Sequence, residues 1–353
     1  MRLASVEVIA YSLPFREPYV TARGTLDRRE MVLLRIRDGD GVEGLGEAVP
    51  LSLRGGAALE TVVRELKGWG DDGEIGPLSP PARCAVETAA LDLQARVAGV
   101  PAWRELGAES ARPVACNATL TAGAPEAVAA QAEEWLADGF ETFKLKVGIG
   151  DDEQQVAAAR EAAGDGAALR VDANGSWTVD EAVRKLRAMR KTGLEFAEEP
   201  VHGLEDLARV RAAAGVRIAA DESLQDPREA VEAAALGSCD LATAKLSKVG
   251  GLGPLFEIAA QIPTYLSSAL DGPVGIAAAA HAAQMLRESG GDAGVAHGLA
   301  TQRLFAETIA SVECELRGPM LHIPEGPGLG VDIDEGALER HRLRPGKRGP
   351  TST

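Results

Sequence analysis

Residues 1–13, MRLASVEVIAYSL, alternate apolar and polar side chains with the period of two expected of a half-buried strand. The same period returns over 30–48, where MVLLRIR and VEGLGEAV flank Asp38-Gly39-Asp40-Gly41, a hairpin turn signal. The chain therefore opens on antiparallel strands. Two helical stretches follow, at about 57–69 and 80–98. In the second, Val86, Ala90, Leu93 and Val97 recur at i, i+4, i+7 and i+11, which predicts one buried face. Pro80 and Pro81 open that helix, and Gly99 with Pro101 closes it.

From about residue 113 the pattern changes to short apolar runs separated by helices, the signature of a parallel α/β layer. Helix punctuation is clear at Pro125 to Gly139, at Thr178 with Glu181 before Gly193, and at Asp226-Pro227 to Gly237. The runs between are VACNATL (114–120), TFKLKVG (142–148), ALRVDA (168–173), LEFAEE (194–199), VRIAADE (216–222), LATAKLS (241–247), TYLSSAL (264–270) and GVAHGLA (294–300). Eight strands with intervening helices predict a TIM-type (β/α) barrel. The expected organisation is an α+β capping domain of residues 1–108 completed by the proline- and glycine-rich segment 312–345, a barrel over 109–311, and a disordered tail at 346–353.

Composition narrows the functional classes. The 353 residues are 45% hydrophobic and 25% charged, with a net charge of −16, which argues against a nucleic-acid partner that needs clustered Lys and Arg. No apolar run reaches membrane-spanning length, and the N-terminus lacks a signal-peptide pattern. Cys84, Cys116, Cys239 and Cys314 are scattered, without a disulfide or zinc spacing, so a cytoplasmic protein is expected. Oligomeric state is left open.

Polar residues fall at the ends of consecutive predicted strands: Lys144 and Lys146, Asp172 and Asn174, Glu198 and Glu199, Asp221 and Glu222, Lys245 and Lys248. Successive strand-end positions lie 23 to 26 residues apart, one strand, helix and pair of loops each. Each then reaches the same height, at the C-terminal mouth where barrel enzymes place their chemistry. Three carboxylates on adjacent strands repel one another unless a cation lies between them, and hard oxygen donors suit Mg²⁺, with Mn²⁺ as a substitute. Asp172, Glu198 and Asp221 are accordingly the expected metal ligands. The lysines flank them in sequence and hence across the mouth; a second ammonium and a nearby cation lower a lysine pKa toward that of a useful base. Gly250-Gly251-Leu252-Gly253 lacks a nucleotide fingerprint, the five histidines show no metal spacing, and Ser267 and Ser268 have no partner histidine, so those serines are read as substrate contacts. Residues 16–30, with Arg23, Arg28 and Arg29, are expected to form a lid over a small anionic carboxylate substrate.

At these positions the chain resembles the muconate-lactonizing subgroup of the enolase superfamily over nearly its whole length. The matching motifs are Lys144-Leu145-Lys146, Asp172-Ala173-Asn174, Glu198-Glu199-Pro200, Ala220-Asp221-Glu222-Ser223, and the run Lys245 to Gly251. The resemblance implies metal ligation by Asp172, Glu198 and Asp221, with Lys146 and Lys245 facing each other across the substrate. It implies supporting roles for Lys144, Asn174, Glu222 and Lys248. Within the subgroup, Asn117-Ala118-Thr119, Ser267 to Leu270 and the Gly-Leu-Ala-Thr run at 298–301 resemble o-succinylbenzoate synthases, the dehydratases of menaquinone biosynthesis. Dipeptide epimerases of the subgroup carry an Asp-x-Asp motif where Ser267-Ser268-Ala269 stands, and Asp271-Gly272-Pro273 departs from the synthase pattern. The implied activity is Mg²⁺-dependent dehydration begun by α-proton abstraction. The alternatives are N-succinylamino acid racemase, dipeptide epimerase or cycloisomerase on the same scaffold, and a metal-stabilised binding protein without turnover.

Overall fold

The computed structural model describes residues 3–21, 24–50, 56–72 and 78–344. The alternating start becomes a long antiparallel hairpin, β1 (Leu3–Thr21) and β2 (Gly24–Asp38), extended by β3 (Glu43–Ala48). Its strands run further than the expected lid loop. The stretch 16–30 is mostly strand, with a register shift between Pro14 and Tyr19, where prolines 14 and 18 cannot donate to the ladder. Arg23 lies outside the described residues.

Against this sheet pack the helices Leu59–Asp72 and Pro80–Ala98. The second ends on Gly99 in the left-handed conformation, as its sequence predicts. Its buried face is wider than the predicted stripe. Ala82, Ala85 and Ala89 are buried beside Val86 and Leu93, whereas Val97 is exposed. The cause lies in β3: Gly44 and Gly46 have no Cβ, and one added there would strike the helix backbone at Ala89 and Ala85. This close approach buries the small-residue face of the helix and turns its last turn toward solvent.

After the two-residue β4 (Val114–Ala115), seven parallel strands form one curled sheet: β5 (Ala118–Leu120), β6 (Thr142–Lys146), β7 (Ala168–Asp172), β8 (Leu194–Glu198), β9 (Ile218–Ala220), β10 (Leu241–Ala244) and β11 (Thr264–Leu266). They stand in sequence order, as right-handed βα repeats require. The expected eighth strand is reduced to two bridges. His297 pairs with Cys116, and Gly298 with Ser267, so this short segment hydrogen-bonds both edges and closes the ring. A Cβ at Gly298 would crowd Ser267 Oγ, so the glycine lets this segment lie close against the β11 edge. The predicted first strand is likewise divided, since β4 pairs antiparallel with Met320–His322 of the tail.

Helix caps follow the sequence signals. Thr178 and Glu181 form a reciprocal capping box, and the Asp226 carboxylate accepts from the amides of Arg228 and Glu229. The tail crosses back over the hairpin: Leu343 N donates to Ala10 O, and Arg35 pairs with Glu7, Glu43 and Glu335. The expected disordered tail at 346–353 lies outside the described residues. No described helix is long and apolar enough to cross a membrane.

Candidate active site

Parallel pairing places Lys146 opposite Asp172 and Asp172 opposite Glu198, so strand register alone lines up three charged groups at one height. Asp221 and Lys245 follow just beyond the ends of β9 and β10. Because β6 and β10 are separated by three strands in a ring of seven strands plus one bridging segment, Lys146 and Lys245 face each other across the mouth. The expected constellation is therefore brought together.

Every carboxylate in it is buried and met by an ammonium. Lys144 Nζ bridges Asp172 Oδ2 at 2.9 Å and Glu198 Oε2 at 2.6 Å. Lys146 Nζ lies 2.5 Å from Asp172 Oδ2 and 3.1 Å from Asn174 Oδ1. On the far side Lys245 pairs with Asp221 Oδ2, while Lys248 donates to Asp221 Oδ1 at 2.8 Å, to its carbonyl at 2.5 Å and to Thr243 O at 3.2 Å. Asn174 donates to Glu222 Oε1 at 2.9 Å. Unpaired, such charges would be too costly to bury; paired, they hold each other in place.

These pairings set the protonation behaviour. Burial pushes the Asp172 carboxyl up, but Lys144 and Lys146 outweigh it and hold it well below the usual carboxylate range. Glu198 goes the other way, raised by burial and by Asp172, which together exceed the pull of Lys144. Burial would lower Lys144, yet Asp172 and Glu198 keep it well above the ordinary lysine value. Carboxylates rather than cations are its nearest neighbours, and they set the direction of this shift.

The donor set suits a divalent cation. Asp172, Glu198 and Asp221 offer hard oxygens from adjacent strands, and Glu198 Oε1 is buried without a hydrogen-bond partner. Among the described residues no three acids, histidines or cysteines already close on one point, since the lysines stand between the carboxylates. Glu199, the neighbouring acid, is committed elsewhere. It takes a positive φ of 40°, and its oxygens accept from Asp221 N at 2.8 Å, Ser223 Oγ at 2.5 Å and, on the other side, meet His202. Glu199 thus holds the backbone of Asp221, and its oxygens already have partners.

A cavity opens above this floor. Lys144, Lys146, Lys245, Asn174 and Glu222 line its base; Asn117, Ser267, Ser268, Ala269 and Leu270 line one side; Tyr19, Leu26 and Arg29 of the hairpin and Ile149 line the rim. Arg28 is not in it. Its guanidinium donates to Ser12 Oγ and Ser12 O, whereas Arg29, one residue on and so on the opposite face of the strand, reaches Pro50 O and Ala269 O. Asn117 lines the cavity while its Oδ1 accepts from Arg170 at 3.1 Å.

Two residues of the floor were absent from the sequence reading. Tyr265 is fully buried and donates to Glu198 Oε2 at 2.5 Å; burial and Glu198 raise its phenol well above the ordinary value. Arg170, also fully buried, stacks on Phe196 and Tyr265 and bonds Glu195 and Asn117. Both lie two residues before a named site position, Ser267 and Asp172, on the same inward face. The alternation that singled out Lys144 beside Lys146 points to them as well.

Family models match both parts of the chain: residues 4–68 fit the mandelate racemase / muconate lactonizing enzyme N-terminal domain, and residues 127–337 the enolase C-terminal domain-like family. L-Ala-D/L-Glu epimerase from Bacillus subtilis is 30% identical over 94% of this chain and 97% of its own length. Muconate lactonizing enzyme from Pseudomonas fluorescens, complexed with muconolactone, superposes with a TM-score of 0.88 at 27% identity, covering 97% of this chain and 99% of that one. Dipeptide epimerase from Enterococcus faecalis, complexed with Mg and the dipeptide L-Leu-L-Tyr, superposes at 0.84 with 28% identity, covering 94% and 100%. With the barrel, its cap and these matches agreeing end to end, the chain belongs to the muconate-lactonizing branch of the enolase superfamily.

Proposed function

We propose that this chain removes the proton next to a carboxylate on a small substrate that carries a second anionic arm, and that its reaction is dehydration of 2-succinyl-6-hydroxy-2,4-cyclohexadiene-1-carboxylate to o-succinylbenzoate. The observation that carries the reading is the charge of the cavity lining. Lys144, Lys146, Lys245 and Arg29 face it, and Glu222 is its one acid among the described residues. A dipeptide brings an ammonium that needs a carboxylate partner at the far wall. That wall is Ser267-Ser268-Ala269-Leu270, and the nearby Asp271 spends its carboxylate on Ser268 Oγ at 2.7 Å and Ala269 N at 2.6 Å. A dicarboxylate suits it better.

A proton α to a carboxylate is weakly acidic, so the charge that develops on its removal has to be met as it forms. Asp172, Glu198 and Asp221 would hold Mg²⁺, or Mn²⁺, which supplies positive charge for the substrate carboxylate. Lys146 Nζ takes the α-proton, and the Lys245 ammonium, across the mouth, faces the resulting dianion. The proton on Lys146 is then returned to the leaving hydroxyl; the carbon–oxygen bond breaks, water departs and the ring becomes aromatic. Lys144 and Asn174 hold Lys146 and Asp172 in position, Lys248 and Glu199 fix Asp221, and Glu222 fixes Asn174. Ser267 and Ser268 contact the succinyl arm.

The relatives named as epimerases, and another named N-succinyl-L-Arg/Lys racemase, support a second reading, epimerisation of a dipeptide or racemisation of an N-succinylamino acid, because two lysines on opposite faces can each exchange a proton. The test is product formation by the Mg²⁺-loaded protein with the cyclohexadiene, beside α-proton exchange in D₂O with N-succinylamino acids and dipeptides. Rapid formation of o-succinylbenzoate is expected. Exchange of both stereoisomers of a succinylamino acid without o-succinylbenzoate formation would transfer the assignment to the racemase.

A further inference from the structure

The serine wall of the cavity is built from the loop after β11, and that loop is held from outside the barrel. Glu47 lies on β3 of the capping sheet, is 2% exposed, and does not line the cavity. Its Oε1 accepts from Gly272 N at 2.6 Å, with the Gly275 amide also directed to the carboxylate, and its Oε2 accepts from Tyr11 OH at 2.8 Å. Gly272 precedes the helix Pro273–Ser289, so Glu47 satisfies amides of that helix's first turn from another domain. A Cβ at either glycine would strike the Glu47 carboxylate, so both glycines make room for it.

The residues just before this anchor form the cavity wall. Leu270 holds a positive φ of 66°, a conformation unfavourable for a non-glycine residue that persists only where surroundings enforce it. Those surroundings are Asp271, whose carboxylate binds Ser268 and Ala269, Arg29, which holds Ala269 O, and Glu47, which fixes Gly272. Ser267 and Ser268 are themselves tied to the barrel through Ala244 O and Gly298 O. The loop therefore has one end fixed by the barrel and the other by the cap.

We infer that Glu47 is a positioning residue that sets the serine wall, and thereby which distal substrate group the cavity accepts, by clamping Gly272 to the capping domain. The inference rests on the reading that this cavity is the substrate site. Burial and the proximity of Asp271 raise the Glu47 carboxyl to about 8, so an uncharged amide is a fair replacement. Glutamine keeps a carbonyl for the Gly272 amide and turns its amino group to the Tyr11 hydroxyl, which can accept as well as donate.

Two arms test it on purified Glu47→Gln and Glu47→Ala. Hydrogen exchange of the 267–272 amides needs no substrate. Glu47→Ala should accelerate it about tenfold while β6–β8 keep their protection, and Glu47→Gln should stay within about twofold of wild type. With the cyclohexadiene carboxylate, Glu47→Ala should raise KM about fivefold at nearly unchanged kcat, with Glu47→Gln restoring it. Wild-type loop exchange in Glu47→Ala, or a fall in kcat with KM unchanged, overturns the inference. Equal collapse of both variants, with global loss of protection, overturns it too, since Glu47 would then be merely structural. Failure of the wild type to turn over the cyclohexadiene overturns the assigned reaction instead, and the exchange arm still decides the role of Glu47.

Discussion

The floor and the wall of the cavity are built by different means. On the floor, Lys146, Asp172 and Glu198 are direct neighbours in a parallel ladder, so their mutual placement is a consequence of strand register. The wall, Ser267 to Leu270 with Arg29 and Tyr19, hangs from the barrel at its serine end but depends also on contacts between residues more than 200 positions apart, such as Arg29 with Ala269 and Glu47 with Gly272. A scaffold arranged this way can keep its proton chemistry while its substrate changes, because the two are specified by separate interactions. It also makes the two regions separable by mutation: floor changes should act on turnover and metal affinity, wall changes on KM.

The largest effect should come from removing the metal. Excess chelator should lower activity at least about a thousandfold, with Mg²⁺ restoring it, because the charge formed on the substrate carboxylate loses its main stabiliser. Full activity in chelator would remove the metal from the floor. Next is Glu198→Gln, which removes the negative charge and one of the two oxygens of one ligand; Mg²⁺ affinity, followed calorimetrically, should weaken about 10- to 100-fold with the fold intact. Unchanged affinity would require another ligand, although Glu199 is already committed to Asp221 and Ser223. On the wall, Arg29→Ala removes a cavity cation and the tie to Ala269 O, and should raise KM about tenfold while kcat changes little. A loss confined to kcat would erase the division drawn above.

The remaining effect concerns stability away from both regions and leaves turnover at neutral pH untouched. His281 is buried on the helix Pro273–Ser289; its Nδ1 accepts from Trp103 N at 3.0 Å, so its Nε2 carries the proton toward Leu329 O. Burial lowers its pKa to about 4, against 6.5 when unfolded. Both states are neutral above that unfolded value. As pH falls from 6.5 to about 4 the unfolded chain takes up a proton that the folded chain refuses, and stability is lost by up to about 3 kcal/mol. Denaturant titrations at pH 7 and pH 5 should show a smaller acid loss in His281→Gln than in wild type; identical losses would assign the acid limb to other groups.

How far the sequence carries also divides along floor and wall. Lys144, Lys146, Asp172, Glu198, Asp221 and Lys245 are legible because a parallel barrel converts regular spacing into equal height, and because charge inside apolar runs is costly without a purpose. Arg170 and Tyr265 obey the same alternation, but an arginine or tyrosine inside an apolar strand does not by itself name Asn117 or Glu198 as its partner. The choice between Arg28 and Arg29 depends on which face of β2 turns inward. A stretch that reads as a loop has no such face, so Arg28 and Arg29 are not told apart by sequence. The eighth strand shrank to two bridges at His297 and Gly298 because ring closure is set by what the edges leave open, which no local pattern encodes. Glu47 is the extreme case: nothing near it in sequence indicates that its partner is Gly272.

The central claim is that the two opposed lysines do unequal work, one transferring the proton and the other holding charge. Its most direct test is o-succinylbenzoate formation by Lys146→Arg and Lys245→Arg, since arginine keeps the cation but does not deprotonate. Lys245→Arg should retain measurable dehydration, slowed by the larger guanidinium, while Lys146→Arg should fall to background because no base remains at the α-proton. Equal loss in both variants would contradict the account and show that both lysines move protons.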